Sequence, residues 1–131
     1  MLDVHIDDFF KDCAVILLQG FKLFPAKQVL YVEDISGPDD VDEFGLHSPR
    51  HLSALGAIIW LQEEGYIRFG EMNRQDSVDD FVLGSKAFSK LLAAPAGDPT
   101  STLANQLEYA RLQNDSTLIR QLMQTHFLTA A

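Results

Sequence analysis

The sequence predicts an α+β chain, mostly helical, with a small antiparallel sheet of two to three strands and a C-terminal helical extension. Three observations predict it. Apolar residues recur at helical spacing over His5–Leu23 and Ser48–Glu64, two short strand-like runs flank a polar loop between 66 and 83, and further helical stripes follow the breaker Pro95-Ala96-Gly97-Asp98-Pro99. A chain of 131 residues can bury roughly two-thirds of its unfolded surface, enough for a core without staples.

The first helix is expected over His5–Leu23. Asp7 and Asp8 lie in its first turn, where the helix dipole favours carboxylates, and Ile6, Phe9, Phe10, Cys13, Leu17, Gly20, Phe21 and Phe24 form a broad apolar stripe. Cys13 falls inside that stripe and reads as an inert core thiol, and Pro25 ends the helix. Gln28–Asp34 carries Val29, Leu30, Tyr31 and Val32 and predicts a strand, with continued helix as the alternative because only Pro25 stands against it. Ile35-Ser36-Gly37-Pro38 has turn chemistry. The acidic run Asp39-Asp40-Val41-Asp42-Glu43-Phe44-Gly45 then predicts a short second helix closed by Gly45.

Ser48-Pro49 is a helix start, since a serine hydroxyl takes an orphan N–H and proline at the first helical position loses no needed bond. Leu52, Leu55, Ile58, Ile59 and Leu61 follow as one stripe with Trp60 at its border, and Gly65 closes the helix after about four turns. Tyr66–Phe69 and Val78–Leu83 predict two strands, with Phe81 and Leu83 on one face. The loop between them, Gly70 to Ser77, looks too long for a tight turn. Gly84-Ser85 supplies another cap, before a short helix with Ala87, Phe88, Leu91 and Leu92 on its apolar side.

Helix, hairpin, helix is the order a winged helix-turn-helix requires. The run Ile59-Trp60-Leu61-Gln62-Glu63-Glu64-Gly65-Tyr66-Ile67-Arg68-Phe69, followed by Phe81-Val82-Leu83-Gly84-Ser85-Lys86-Ala87-Phe88, resembles winged-helix proteins. In these a Leu-x-x-x-Gly-Tyr/Phe-Ile junction precedes the wing and Leu-Thr-x-Lys-Gly starts the next helix. The likeness is to a group of small bacterial winged-helix proteins without an assigned activity, and it covers the middle third of the chain. Gly84 stands where the pattern has Thr, and Ala87 where it often has Gly. The resemblance implies that residues 28–34 pair with the wing as a third strand, that residues 48–64 form the recognition helix and that residues 70–77 form the wing.

The expected organisation is a winged-helix domain at 1–94, a linker at 95–100 and a C-terminal helical segment at 101–128. Thr100 or Ser101 can cap that segment, and Asn114-Asp115-Ser116 either divides it into two helices or lies inside one. Its stripe, Leu103, Leu107, Leu118, Leu122 and Met123, either packs on the first helix or pairs with a second copy. A homodimer through these residues is the expectation. One cysteine excludes an internal disulfide, and no run approaches the roughly 20 apolar residues of a membrane span, so a cytoplasmic protein that does not touch membrane is expected.

No catalytic motif is present, and no cofactor or metal is expected. An EF-hand register from Asp40 places Phe44 and His51 where calcium requires oxygen ligands, so the acidic run reads as a solvated helix start. His47 and His51 have the four-residue spacing of a zinc pair but lack the Glu of a His-Glu-x-x-His motif, and read as surface histidines at a helix N-terminus.

Net charge is −9, which opposes binding to a polyanion unless the cations gather on one face. The expected function is therefore a non-enzymatic, acidic, dimeric interaction or regulatory module that binds a protein partner. The alternative is a DNA-binding transcriptional regulator. It would read a groove with Arg50, His51 and Ser53, supported by Arg68, Arg74 and Lys86 against Glu71, Asp76, Asp79 and Asp80 in the same hairpin.

Overall fold

The computed structural model describes residues 2–128 as six helices and four short strands. The first helix, α1 (Ile6–Leu23), lies at the centre and packs against helices from the middle and the C-terminal part of the chain. After it come β1 (Gln28–Tyr31), α2 (Glu33–Ser36), α3 (Pro49–Glu63), β2 (Ile67–Arg68), β3 (Met72–Asn73), β4 (Ser77–Leu83), α4 (Ser85–Leu92), α5 (Leu103–Leu112) and α6 (Ser116–Phe127). The sheet is antiparallel in the order β1-β4-β2, with β3 also on β4. The run at 28–34 is thus a strand beside the hairpin, ending at Tyr31.

One hydrophobic core joins helices and sheet from Phe10 to Phe127. Cys13, Ile16 and Leu17 of α1 join Ile58 and Leu61 of α3, Leu30, Phe81 and Leu83 of the sheet, Leu91 of α4, and Leu103, Leu107 and Met123 of α5 and α6. Burial pushes the Cys13 thiol well above its ordinary range, as an inert core thiol requires. The stripe expected on α3 is shifted. Leu52 is exposed, Ile59 and Trp60 are half-buried, and His51, Ala54 and Ala57 occupy the inward positions.

Two other expectations are corrected, and one left open is decided. The acidic run at 39–45 is not a helix. The Asp42 carboxylate accepts bonds from the N–H groups of Phe44 (2.8 Å) and Leu46 (2.9 Å), offering the backbone a closed turn in place of helical bonds, and Gly45 takes φ +76°. The short second helix lies earlier, at Glu33–Ser36.

The hairpin tip, in turn, is tight. Pairing continues to Asn73 opposite Ser77, the Asp76 N–H donates to the Asn73 carbonyl at 2.8 Å, and Arg74 and Gln75 both have positive φ, +53° and +63°. Two central residues in the left-handed region are the mark of a primed hairpin turn, whose twist matches the strands. Neither residue is the Gly, Asn or Asp that usually signals one.

The C-terminal segment is two helices. Asp115 caps α6 by accepting from Leu118 N–H at 3.0 Å, with Asn114 at φ +52°, and Thr102 rather than Thr100 or Ser101 caps α5.

The α3-to-β2 junction is closed by short-range contacts. Gly65 takes φ +79° and Gly84 N–H donates to the Tyr66 carbonyl at 2.9 Å. A Cβ at position 84 would lie 2.8 Å from the Gly65 carbonyl oxygen, so glycine here is required by a close backbone approach, and Ser85 is a helix residue rather than a cap. The Tyr66 hydroxyl donates to the Phe127 carbonyl, and its ring meets Phe127 edge-on at 5.1 Å, tying the end of α6 to this junction. Gly84→Ala should therefore destabilise the protein by about 1 to 3 kcal/mol in urea unfolding. Wild-type stability in that variant would contradict the close approach.

Candidate functional site

The candidate recognition face lies where the start of α3 meets the hairpin tip. The Ser48 hydroxyl accepts the His51 N–H at 3.2 Å and Pro49 fills the first helical position, so the helix begins here with Arg50 and His51 in its first turn. Both side chains turn inward. Arg50 makes a two-armed contact with Asp12 of α1, Nη1 to Oδ2 at 2.8 Å and Nη2 to Oδ1 at 2.6 Å. Asp12 is 1% exposed. Burial raises the Asp12 carboxyl above its ordinary range, opposed by the guanidinium, while the same contact raises Arg50 further.

His51 is 1% exposed and is no surface histidine. Its Nε2 lies 2.7 Å from the Gln75 carbonyl oxygen at the hairpin tip. A carbonyl can only accept, so Nε2 carries a proton, and in the neutral ring Nδ1 presents its lone pair. That Nδ1 lies 3.4 Å from Asp39 Oδ2 and is buried without a hydrogen-bond partner among the described residues.

His47 stacks on His51, centroids 3.9 Å apart and planes within 5°. Its Nδ1 is 2.6 Å from Asp39 Oδ2 and its Nε2 3.1 Å from Asp76 Oδ1. Bonding from Ser48 first, then His47, holds Asp39 down at about 2. The bond to Asp39 raises His47 above the ordinary imidazole range. Asp39 also accepts the Ser48 N–H at 3.1 Å, so one carboxylate ties the irregular loop to the helix start. Asp39, His47 and His51 are the group whose ligand atoms, all within 4.8 Å of one another, could hold a metal ion.

The remaining candidates are dispersed. Ser53, Arg68, Arg74 and Lys86 are exposed. Arg68 and Lys86 line one groove of about 430 Å³ between the α3-to-β2 junction and the start of α4. Lys86 there donates to the Glu64 carbonyl at 3.2 Å and lies 4.3 Å from the Tyr66 ring centroid. Arg74 sits at the other end of the hairpin, on its tip.

Of the residues expected to pair with a second copy, Leu103, Leu107, Leu122 and Met123 are buried in this chain's own core and Leu118 is half-buried. α5 and α6 pack on α1, so a dimer built on these helices would use their outer faces, where Tyr109 and Leu112 are exposed.

Sequence reasoning missed Asp12, Asp39, Gln75 and Asp76 as partners. Asp12 did carry a signal: it lies three residues after Phe9 and four before Ile16, on the inward side of α1, where a carboxylate needs a cation. Asp39 and the Gln75 carbonyl carried none, since only the folded loop and turn bring them to the histidines.

No protein-family model, curated protein or solved structure matches this chain. Among the described residues no helix is long and apolar enough to cross a membrane.

His51→Phe preserves bulk but leaves the Gln75 carbonyl without its donor. It should destabilise the protein by about 1 to 3 kcal/mol and speed amide exchange at Asp76, whose bond closes the turn. Unchanged exchange there would show that the tip does not depend on His51.

Proposed function

We propose that this chain is a non-enzymatic winged-helix interaction module that binds a protein partner. The strand order β1-β4-β2, with α3 leading into the hairpin and α4 leaving it, supports the winged-helix reading. The observation that carries the choice of partner is the pairing of Arg50 with Asp12. Arg50 is the one arginine or lysine of α3, and a guanidinium engaged on both arms by a buried carboxylate has no fork left for a guanine. His51 faces the Gln75 carbonyl. The first turns of the helix thus offer a DNA groove no free cation.

The same region presents a surface suited to protein. The loop between α2 and α3 exposes Val41 (52%), Phe44 (78%) and Leu46 (63%) among Asp40, Asp42 and Glu43, and Leu52 is exposed on α3 beside it in sequence. Apolar side chains among carboxylates fit an apolar partner surface rimmed with cations.

The DNA-binding reading keeps one specific observation, the shared groove of Arg68 and Lys86 with Arg74 on the hairpin tip. Titration of labelled duplex DNA at low salt separates the two. The protein reading predicts no saturable binding even there. Saturable binding that falls steeply with salt and is weakened by Arg68→Ala and Lys86→Ala would overturn it in favour of DNA.

A further inference from the structure

We propose that His47, His51 and Asp39 are three ligands of a divalent transition-metal site, with zinc as the best-fitting ion, which fastens the loop ahead of α3 to the start of that helix, beside the hairpin tip. The inference is independent of whether the module binds protein or DNA.

Its first support is the arrangement of ring nitrogens. A metal-bound histidine usually gives its other N–H to a carboxylate or a backbone carbonyl, which fixes the tautomer and orients the ring. Both histidines are held in that way. His51 Nε2 is bonded to the Gln75 carbonyl at 2.7 Å, and His47 Nε2 faces Asp76 Oδ1 at 3.1 Å. The two Nδ1 atoms are thereby both turned toward one oxygen, Asp39 Oδ2.

The second support is the unpartnered atom. His51 Nδ1 is buried, accepts no hydrogen bond among the described residues, and lies 3.4 Å from a carboxylate oxygen. An imidazole lone pair facing a carboxylate lone pair in a buried site is repulsive unless a cation stands between them. A proton bridges His47 Nδ1 and Asp39 at 2.6 Å, but the 3.4 Å between His51 Nδ1 and the same oxygen is too long for such a bond. A metal ion serves both rings and the carboxylate together.

The donor set selects the ion. Two imidazoles and a carboxylate are the borderline ligands that zinc and its first-row neighbours take, whereas magnesium and calcium take oxygen. With metal–ligand bonds of about 2.0 to 2.1 Å, tetrahedral ligand atoms stand about 3.3 Å apart. The His51–Asp39 pair already has that spacing at 3.4 Å, while the His47–Asp39 pair must open from 2.6 Å and the stacked rings must rotate from their parallel setting. His47 is the ring that would shift, being the outer one, with its side chain 15% exposed against 1% for His51. Three protein ligands leave a fourth position for water or for a partner's side chain.

The test uses the full chain, free of any oligohistidine tag and stripped with chelator. Zinc chloride is titrated calorimetrically, and cobalt(II) is added separately to read coordination from its visible absorption. One equivalent per chain, an absorption band of the intensity given by low-coordinate cobalt, and a rise in Tm of roughly 5 to 10 °C at about a hundredfold excess of zinc over Kd are expected. Because His51 belongs to the core, the ligand assignment is read from Asp39→Asn and His47→Ala, each first shown by circular dichroism to be folded. Both should weaken zinc at least tenfold. Wild-type protein that takes up no stoichiometric zinc would overturn the proposal, as would a loss smaller than tenfold in either folded variant, which would place the ion elsewhere.

Discussion

The two-armed contact between Asp12 and Arg50 pins the central helix of this structure to the start of α3. A carboxylate placed on the inward side of a central helix cannot stay there alone, because the desolvation of an unpaired charge exceeds what nearby apolar contacts return. The guanidinium that answers it comes from 38 residues along the chain, at the first turn of α3. Two parallel bonds fix both distance and direction, so α3 is set against α1 in one register. The same bonds engage the guanidinium on which base recognition by that helix would rest.

Around that pair the first turn of α3 becomes a junction. His51 reaches the hairpin tip through Gln75, Asp39 reaches back from the irregular loop to Ser48 and His47, and the loop holds its own shape through Asp42. At the far end of α3, Tyr66 is bonded to the last turn of α6, and α5 and α6 lie on α1. The C-terminal helices are therefore part of the same core and not an appendage on a finished domain. A hairpin tip with two non-glycine residues at positive φ is costly locally, by about 1 to 2 kcal/mol for each such residue. The His51 bond is one of the contacts that hold it.

Much of the fold could be read from the residues, and the reasons differ by element. α1 and α3 carried helical periodicity, β4 a short apolar run before a cap, and Ser48-Pro49 and Gly65 marked the ends of α3 to within a residue. The acidic run misled because its composition suits a helix start, whereas Asp42 can equally close a turn on its own backbone. The hairpin tip was hidden because Arg74 and Gln75 do not advertise positive φ. The candidate site was legible only as the pair His47 and His51. What makes it a site, the Asp39 carboxylate and the Gln75 carbonyl, arrives through long-range folding that no local spacing encodes. Arg50 was legible as a cation and misleading as a free one, since its partner lies on a different helix.

A double-mutant cycle on Asp12→Asn and Arg50→Ala tests the central claim most directly, with stability measured by denaturant unfolding in all four proteins. Arg50 is about a third exposed and Asp12 buried, so this structure predicts a coupling of about 2 to 3 kcal/mol, below the range of fully buried pairs. Additive effects, with coupling near zero, would mean that the two side chains do not meet and that Arg50 is free at the face of α3.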